Sequence, residues 1–258
     1  MSYQQTQSPQ QPQQQQQQLS HAPHTSGPQA QQHAGAFLGG SFTIAHRDTN
    51  AILNLDLQEG ATVRAIPGAM IHMSNTVQLS GKVKFSMKKL FTGGDLAEST
   101  YSGPGKIALA PTLFGDIIPL PVNGQQPWNV GKDAFLACTT EISKELKSQG
   151  LGKAFFSGED LFIYRMGGQG IVWLTSFGAV DRLDLQSGEE HTVDNGHLVA
   201  WNCDFKIERA GGSSSTSFKT GEGLVCRFTG PGSVYVQTRN MSDFKSFIRA
   251  NSAGAAAA

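Results

Sequence analysis

Three glycine turns constrain this chain more than any other feature. The stretches SGPGKIAL (Ser102 to Leu109), GGQGIVWL (Gly167 to Leu174) and TGPGSVYV (Thr229 to Val236) all fit G-x-G-x-[IV]-x-[LV]. Their leading glycines, Gly103, Gly168 and Gly230, lie 65 and 62 residues apart. Each turn has a related approach: GGDLAESTY from Gly93, SGEDLFIYR from Ser157 and TGEGLVCRF from Thr220. Between the last two copies a shift of 63 residues carries Gly115 onto Gly178, Leu120 onto Leu183, Val130 onto Val193 and Ala137 onto Ala200. The first copy joins through a phrase: LDLQEG (Leu55 to Gly60) returns as LDLQSG (Leu183 to Gly188), and Val63 then corresponds to Val193. The middle copy writes that place as LPVNGQ (Leu120 to Gln125). A fixed period of this size marks tandem supersecondary units. The expected units are about 37–105, 106–170 and 171–240.

The grammar within each unit is that of strands. In G-P-G the proline suits position i+1 of a type II turn, and the following glycine, Gly105 or Gly232, suits i+2, where φ is positive. Leu224, Cys226 and Phe228 alternate before the last turn, and Val234 and Val236 after it. Alternation at period two is a half-buried strand. GKVKFSMKK reads likewise, with Val83, Phe85 and Met87 on one face and Lys82, Lys84, Ser86 and Lys88 on the other. The second half of DAFLACTTEISKELKSQG, from Asp133, also suits a helix stopped by Gly150. Short, evenly spaced strands predict an all-β domain over residues 37–250. Three sandwich- or barrel-like repeats would pack about a pseudo-threefold axis, because one alone buries too little apolar surface. Phe244, Phe247 and Ile248, at i, i+3 and i+4 behind Ser242 or Asp243, predict one short C-terminal helix.

The ends differ from this domain. Residues 1–36 are Gln- and Pro-rich with no Asp, Glu, Lys or Arg, so they cannot offset the entropy of ordering and read as a disordered tail. They lack both the apolar core of a signal peptide and the arginines of a mitochondrial presequence. Residues 251–258 read as a second, short tail. Formal net charge is zero, which gives no global attraction to nucleic acid or anionic lipid. Cys138, Cys203 and Cys226 are scattered and odd in number, the pattern of reduced thiols inside a cell. No apolar run reaches the roughly 18 residues that span a bilayer.

The candidates for chemistry each meet a plainer explanation. Glu189, Glu190, His191, Asp194 and His197 cluster in SGEEHTVDNGH, but His-x5-His puts the two imidazoles on opposite faces of a continuous strand. Ser-Gly and Asn-Gly mark this run as turn material. Ser86 and Lys89 match S-x-x-K without partner motifs, and GGQGIVW lacks the third glycine of a dinucleotide fingerprint. The three cysteines sit in apolar strand contexts, as core thiols do. Lys82, Lys84, Lys88 and Lys89 form the one basic stripe; it suits protection of an edge strand, with phosphate contact as the rival. Trp128, Trp173 and Trp201 read as core. No catalytic, cofactor-binding or metal-binding residue is assigned, and no cofactor.

Taken together, GGQGIVWLTSFGAVDRLDLQSGEEHTVDNGHLVAW and TGEGLVCRFTGPGSVYVQTRN resemble the altered-inheritance-of-mitochondria family. That resemblance implies a β architecture like that of the tryptophan-RNA-attenuation protein, and a non-enzymatic role linked in fungi to mitochondrial organisation. It carries no catalytic residues. It implies a mitochondrial location, while the missing presequence favours the cytoplasm. The expected activity is that of a structural or interaction protein, with open β edges pointing to a homo-oligomer. The alternatives are a small-ligand or RNA-binding β module using clefts between units, and a metalloenzyme around His191 and His197.

Overall fold

The computed structural model describes residues 33–82, 98–148, 162–210 and 224–253. Among them are nineteen β-strands and one α-helix. The first strands are β1 (Ala34–Phe37) and β2 (Gly40–Ala45), a hairpin turned at Gly39 with φ 87. The strand therefore begins at Ala34, within the segment that reads as a tail in sequence. β2 pairs with β3 (Ile52–Leu57), which pairs with β8 (Gly105–Leu109), and β8 also takes β5 (Met70–Met73). A second layer sets β4 (Thr62–Ala65) and β6 (Gln78–Lys82) on either side of β7 (Glu98–Ser102).

The next strands are β9 (Ile117–Asn123), β10 (Trp128–Gly131), β11 (Phe135–Thr139), β12 (Ile142–Ser148) and the long β13 (Phe162–Thr175). The first half of β13 pairs with β10 and β12, and its second half with β9 and β11. The last set is β14 (Val180–Leu185), β15 (Glu190–Asp194), β16 (Leu198–Trp201), β17 (Asp204–Arg209), β18 (Leu224–Thr229) and β19 (Gly232–Gln237). Here β18 takes β15 and β17, and β19 takes β14 and β16. All these pairings are antiparallel, and the described strands form sheets of five, eleven and three strands with no closed barrel.

The glycine turns are thus corners between layers, not hairpins: β7 and β8 do not pair with each other, nor do β18 and β19. Gly103-Pro104 and Gly230-Pro231 are cis, which replaces the trans type II turn expected from sequence. The glycine after each proline keeps its positive φ, 138 at Gly105 and 151 at Gly232. Gly170 has the same φ of 151 within the unbroken β13. A Cβ on Gly230 would lie 2.1 Å from the Gln186 carbonyl oxygen, and one on Gly103 2.3 Å from that of Gln58. The LDLQ phrase therefore supplies the backbone against which the first and last corners close, while at Gly168 the Glu141 carbonyl takes that place. One sequence correspondence shifts: Val63 lies opposite Tyr101, two residues before its turn glycine, and the residue in that place of the last set is His191, opposite Phe228.

Alternation decides burial. Leu53, Leu55 and Leu57 are buried while Asp56 is exposed, each leucine contributing about 1.5–3 kcal/mol of apolar transfer. Residues 142–148, compatible with a helix in sequence, form β12 instead. The seven-residue ladder with β13 settles the choice, with Ile142 buried and Ser143 and Glu145 exposed. Three clusters make the core, around Leu53 and Ile107, around Leu120 and Phe135, and around Trp201 and Phe228. The C-terminal helix α1 (Met241–Ala253) runs three residues beyond the expected span. Residues 83–97, which include the S-x-x-K pair and most of the basic stripe, lie outside the described residues.

Candidate functional site

The residues that lead β3, β9 and β14 meet at one end of the molecule. The Ala51 amide donates to the Gly115 carbonyl at 3.0 Å, and the Gly178 amide to the Phe114 carbonyl at 3.2 Å. Gly115 and Gly178 form a parallel bridge. A side chain at Gly115 would place its Cβ 1.8 Å from the Ser176 carbonyl oxygen, so the close approach requires glycine there. Phe114, Phe177 and Phe244 of α1 gather beside the junction, with ring centroids 5.2 to 6.0 Å apart.

These loops enclose a cleft of about 520 Å³ lined by Arg47, Asp48, Asn50, Phe114, Ala179 and Arg239 among others. Arg47 is held by Asp116 in a bidentate pair, Nε to Oδ1 at 2.9 Å and Nη2 to Oδ2 at 2.6 Å. Both side chains are largely buried, so the pair fixes the cleft wall. His46, at φ 59, closes the adjoining turn by accepting the Thr49 amide at 3.0 Å. Among the described residues no histidine or cysteine lines the cleft. Its walls set Arg47, Asp48, Asn50 and Arg239 beside the Phe114 ring.

A second polar group is internal. Glu98 joins Lys144 at 2.5 Å and Arg64 at 3.3 Å where β4 meets β11. Lys144, 7% exposed, also lies 4.3 Å from the Phe135 ring centroid and 4.7 Å from that of Tyr164. Arg64 further donates to the Ile142 carbonyl. Two cations sharing one carboxylate pin the first set of strands to the second. No sequence motif marks either this group or Arg47 with Asp116, because the partners lie 34 to 78 residues apart.

The polar cluster read from sequence is spread over separate structural tasks. Glu189 accepts the Gln186 amide at 2.8 Å, and Asp194 the Gly196 amide at 2.7 Å. Glu190 faces Arg227 at 3.5 Å, and Arg227 also reaches Glu208 at 3.3 Å. His197 Nδ1 lies 2.7 Å from the Gln237 carbonyl oxygen. His191 sits in β15 opposite Phe228. Among the described residues no group of three His, Cys, Asp or Glu side chains is placed to hold a metal ion. The three thiols are buried, as are the three tryptophans. Burial pushes Cys138 and Cys203 up to about 11 and Cys226 up to about 12, so they stay neutral near pH 7.

Residues 42–239 match the family model described as mitochondrial biogenesis AIM24. The chain belongs to that family. An uncharacterised protein of Streptococcus pyogenes serotype M6 is 30% identical over 224 residues, spanning 81% of this chain and 89% of the relative. The crystal structure of a Streptococcus pyogenes protein superposes on the AIM24-family chain with a TM-score of 0.69 at 28% identity. It covers 81% of this chain and 98% of the other. The AIM24 family is thus linked by description to mitochondria yet has bacterial members, so membership alone fixes no compartment. Among the described residues no helix is long and apolar enough to cross a membrane.

Proposed function

We propose that this AIM24-family chain is a non-enzymatic interaction protein built from three similar β units, which assembles with copies of itself in mitochondrial organisation. One observation carries the three-unit reading. Leu57, Val122 and Leu185 lie opposite Gly105, Gly170 and Gly232, so each corner strand meets its phrase strand in the same register. The flanking strands pair in one order in each unit, with the long β13 filling two places in the middle one, and this shared order supports the repeat. The interaction role is supported by polar groups engaged in caps, ion pairs and turns, and by β edges without a partner among the described residues.

Size-exclusion chromatography with light scattering on the full chain tests assembly. A mass above that of one chain is expected, and a clean monomer at micromolar concentration counts against the reading. Proximity labelling in the native cell, with and without residues 1–36, tests the compartment. Mitochondrial neighbours are expected, and an exclusively cytoplasmic set overturns that part.

A second reading is favoured by the cleft at the loop junction: a binding module for a small ligand bearing an anionic or polar group, held between Arg239 and the Arg47 wall. A thermal-shift screen tests it, with stabilisation rising with ligand concentration as mass action requires.

A further inference from the structure

Strands β5, β11 and β16 occupy one place in the three units. Each pairs with the strand leaving its glycine corner, and each ladder shifts at the same point: between Met70 and His72, between Phe135 and Ala137, and between Leu198 and Ala200. The residue at the shift is Ile71, Leu136 or Val199. Leu136 and Val199 are fully buried, whereas Ile71 is 50% exposed and Met70 37%.

The difference follows from what lies on the far edge. β11 is paired there by β4 of the preceding unit, and β16 by β10. These two seams share one register. Ala137 faces Ala65 and Cys138 faces Arg64 in the first; Ala200 faces Val130 and Trp201 faces Asn129 in the second. A third seam of this design would join β5 of the first unit to β15 of the last. Among the described residues β5 pairs only with β8, and β15 only with β18.

Among the described residues other strands also pair on one side alone, the uncharged β1 (AGAF) and β9 (IIPLPVN) among them; what sets β5 apart is that both strands in its place elsewhere are covered. The outer edge of β12 carries Glu145 and Lys147, and β17 carries Lys206, Glu208 and Arg209, charges that keep exposed edges from pairing; the acidic residues of β15, Glu190 and Asp194, stand only at its two ends. The sequence of β5 is MIHM, with no acidic, Lys or Arg residue. It is an apolar edge of a kind that this molecule covers twice elsewhere.

We propose that β5 of one copy pairs antiparallel with β15 of a second copy of this chain. Transferring the internal register sets His72 opposite Val193 and Met73 opposite Thr192. The contact uses two different surfaces, so copies join head to tail and either close into a ring or propagate. This inference rests on the three-unit, self-assembling reading above and names the surface through which it works.

The test uses two full-length variants, His72→Cys and Val193→Cys, purified separately and mixed under mild oxidation. Directly opposed residues of an antiparallel pair lie within disulfide reach, and the native thiols are buried. The expected result is a covalent heterodimer in the mixture, absent from either variant alone and absent when Glu190→Cys replaces Val193→Cys. In a third variant carrying both substitutions, a disulfide that forms only within one chain would overturn the proposal, since the edges would then meet intramolecularly. No crosslink at all from folded protein would overturn it too. Ile71→Lys is expected to reduce the light-scattering mass to that of one chain while leaving the far-ultraviolet circular dichroism unchanged. An assembly that survives Ile71→Lys without the crosslink sinks this seam but spares the self-assembly reading. A wild-type monomer sinks both.

Discussion

Strands β11 and β5 are equivalent in position and comparable in apolar character, FLACT against MIHM, yet one is core and the other surface. Every residue of β11 is buried, while three of the four in β5 are exposed. Their own sequences do not produce this contrast. β11 lies between β13 and β4, whereas β5 has β8 on one side and, among the described residues, no strand on the other. Burial here is conferred by the strand on the far edge: β4 covers β11, and among the described residues no strand covers β5.

The sealed seam should break most readily at its charges. Glu98→Gln leaves Lys144 and Arg64 with no carboxylate where β4 meets β11, and removing one partner of a buried ionic group costs about 3–5 kcal/mol. Urea denaturation of the variant should show that loss. A change below about 1 kcal/mol would mean that water, not Glu98, solvates these cations. Leu136→Ala comes next. It removes a fully buried side chain at the bulge and should cost about 2–5 kcal/mol, measured by the same transition.

How much of this was legible in the sequence depends on the range of the interaction. The corner glycines could be found because the backbone there needs positive φ or a close approach, demands that only glycine satisfies. The leucines of LDLQEG and LDLQSG could be found because alternation is local. Strand β12 stayed open between strand and helix, since its inward Lys144 interrupts the apolar period and is satisfied by Glu98 and by the rings of Phe135 and Tyr164, contacts that no local pattern shows. The cis peptides were missed because G-P-G is compatible with both isomers and packing between layers selects one. His191 drew attention as a metal ligand, but it lies opposite Phe228 as Val63 lies opposite Tyr101, each pair two residues before a turn glycine. The residues of the cleft could not be named because four separate chain segments build it and none carries a motif.

The thiol of β11 sharpens the comparison by a titration. Cys138, in the place that Met73 takes in β5, is pushed up to about 11 by burial, with Arg64 opposing the shift. A folded-state value above the unfolded one near 9 means that the unfolded chain ionises first. The stability from keeping this thiol neutral is therefore complete below pH 9 and is lost as pH rises towards 11. Cys138→Ala should flatten the fall of unfolding free energy over that window by about 1.4 kcal/mol per pH unit relative to wild type. Identical slopes would show that the thiol reaches water in the native state.

The smallest expected effect completes the contrast. Ile71→Ala makes the same kind of truncation at the same bulge as Leu136→Ala, but at a half-exposed side chain. Within a single chain there is little buried contact to lose and no cavity to leave, so the change in stability should stay within about 0.5 kcal/mol. The measurement must be made at protein concentrations low enough to hold the chain monomeric, because a partner that binds only the folded state adds its own free energy. Under those conditions a loss of about 2 kcal/mol or more, approaching that of Leu136→Ala, would mean that β5 is already covered within its own chain. A negligible loss that grows with protein concentration would instead locate the missing neighbour in another copy.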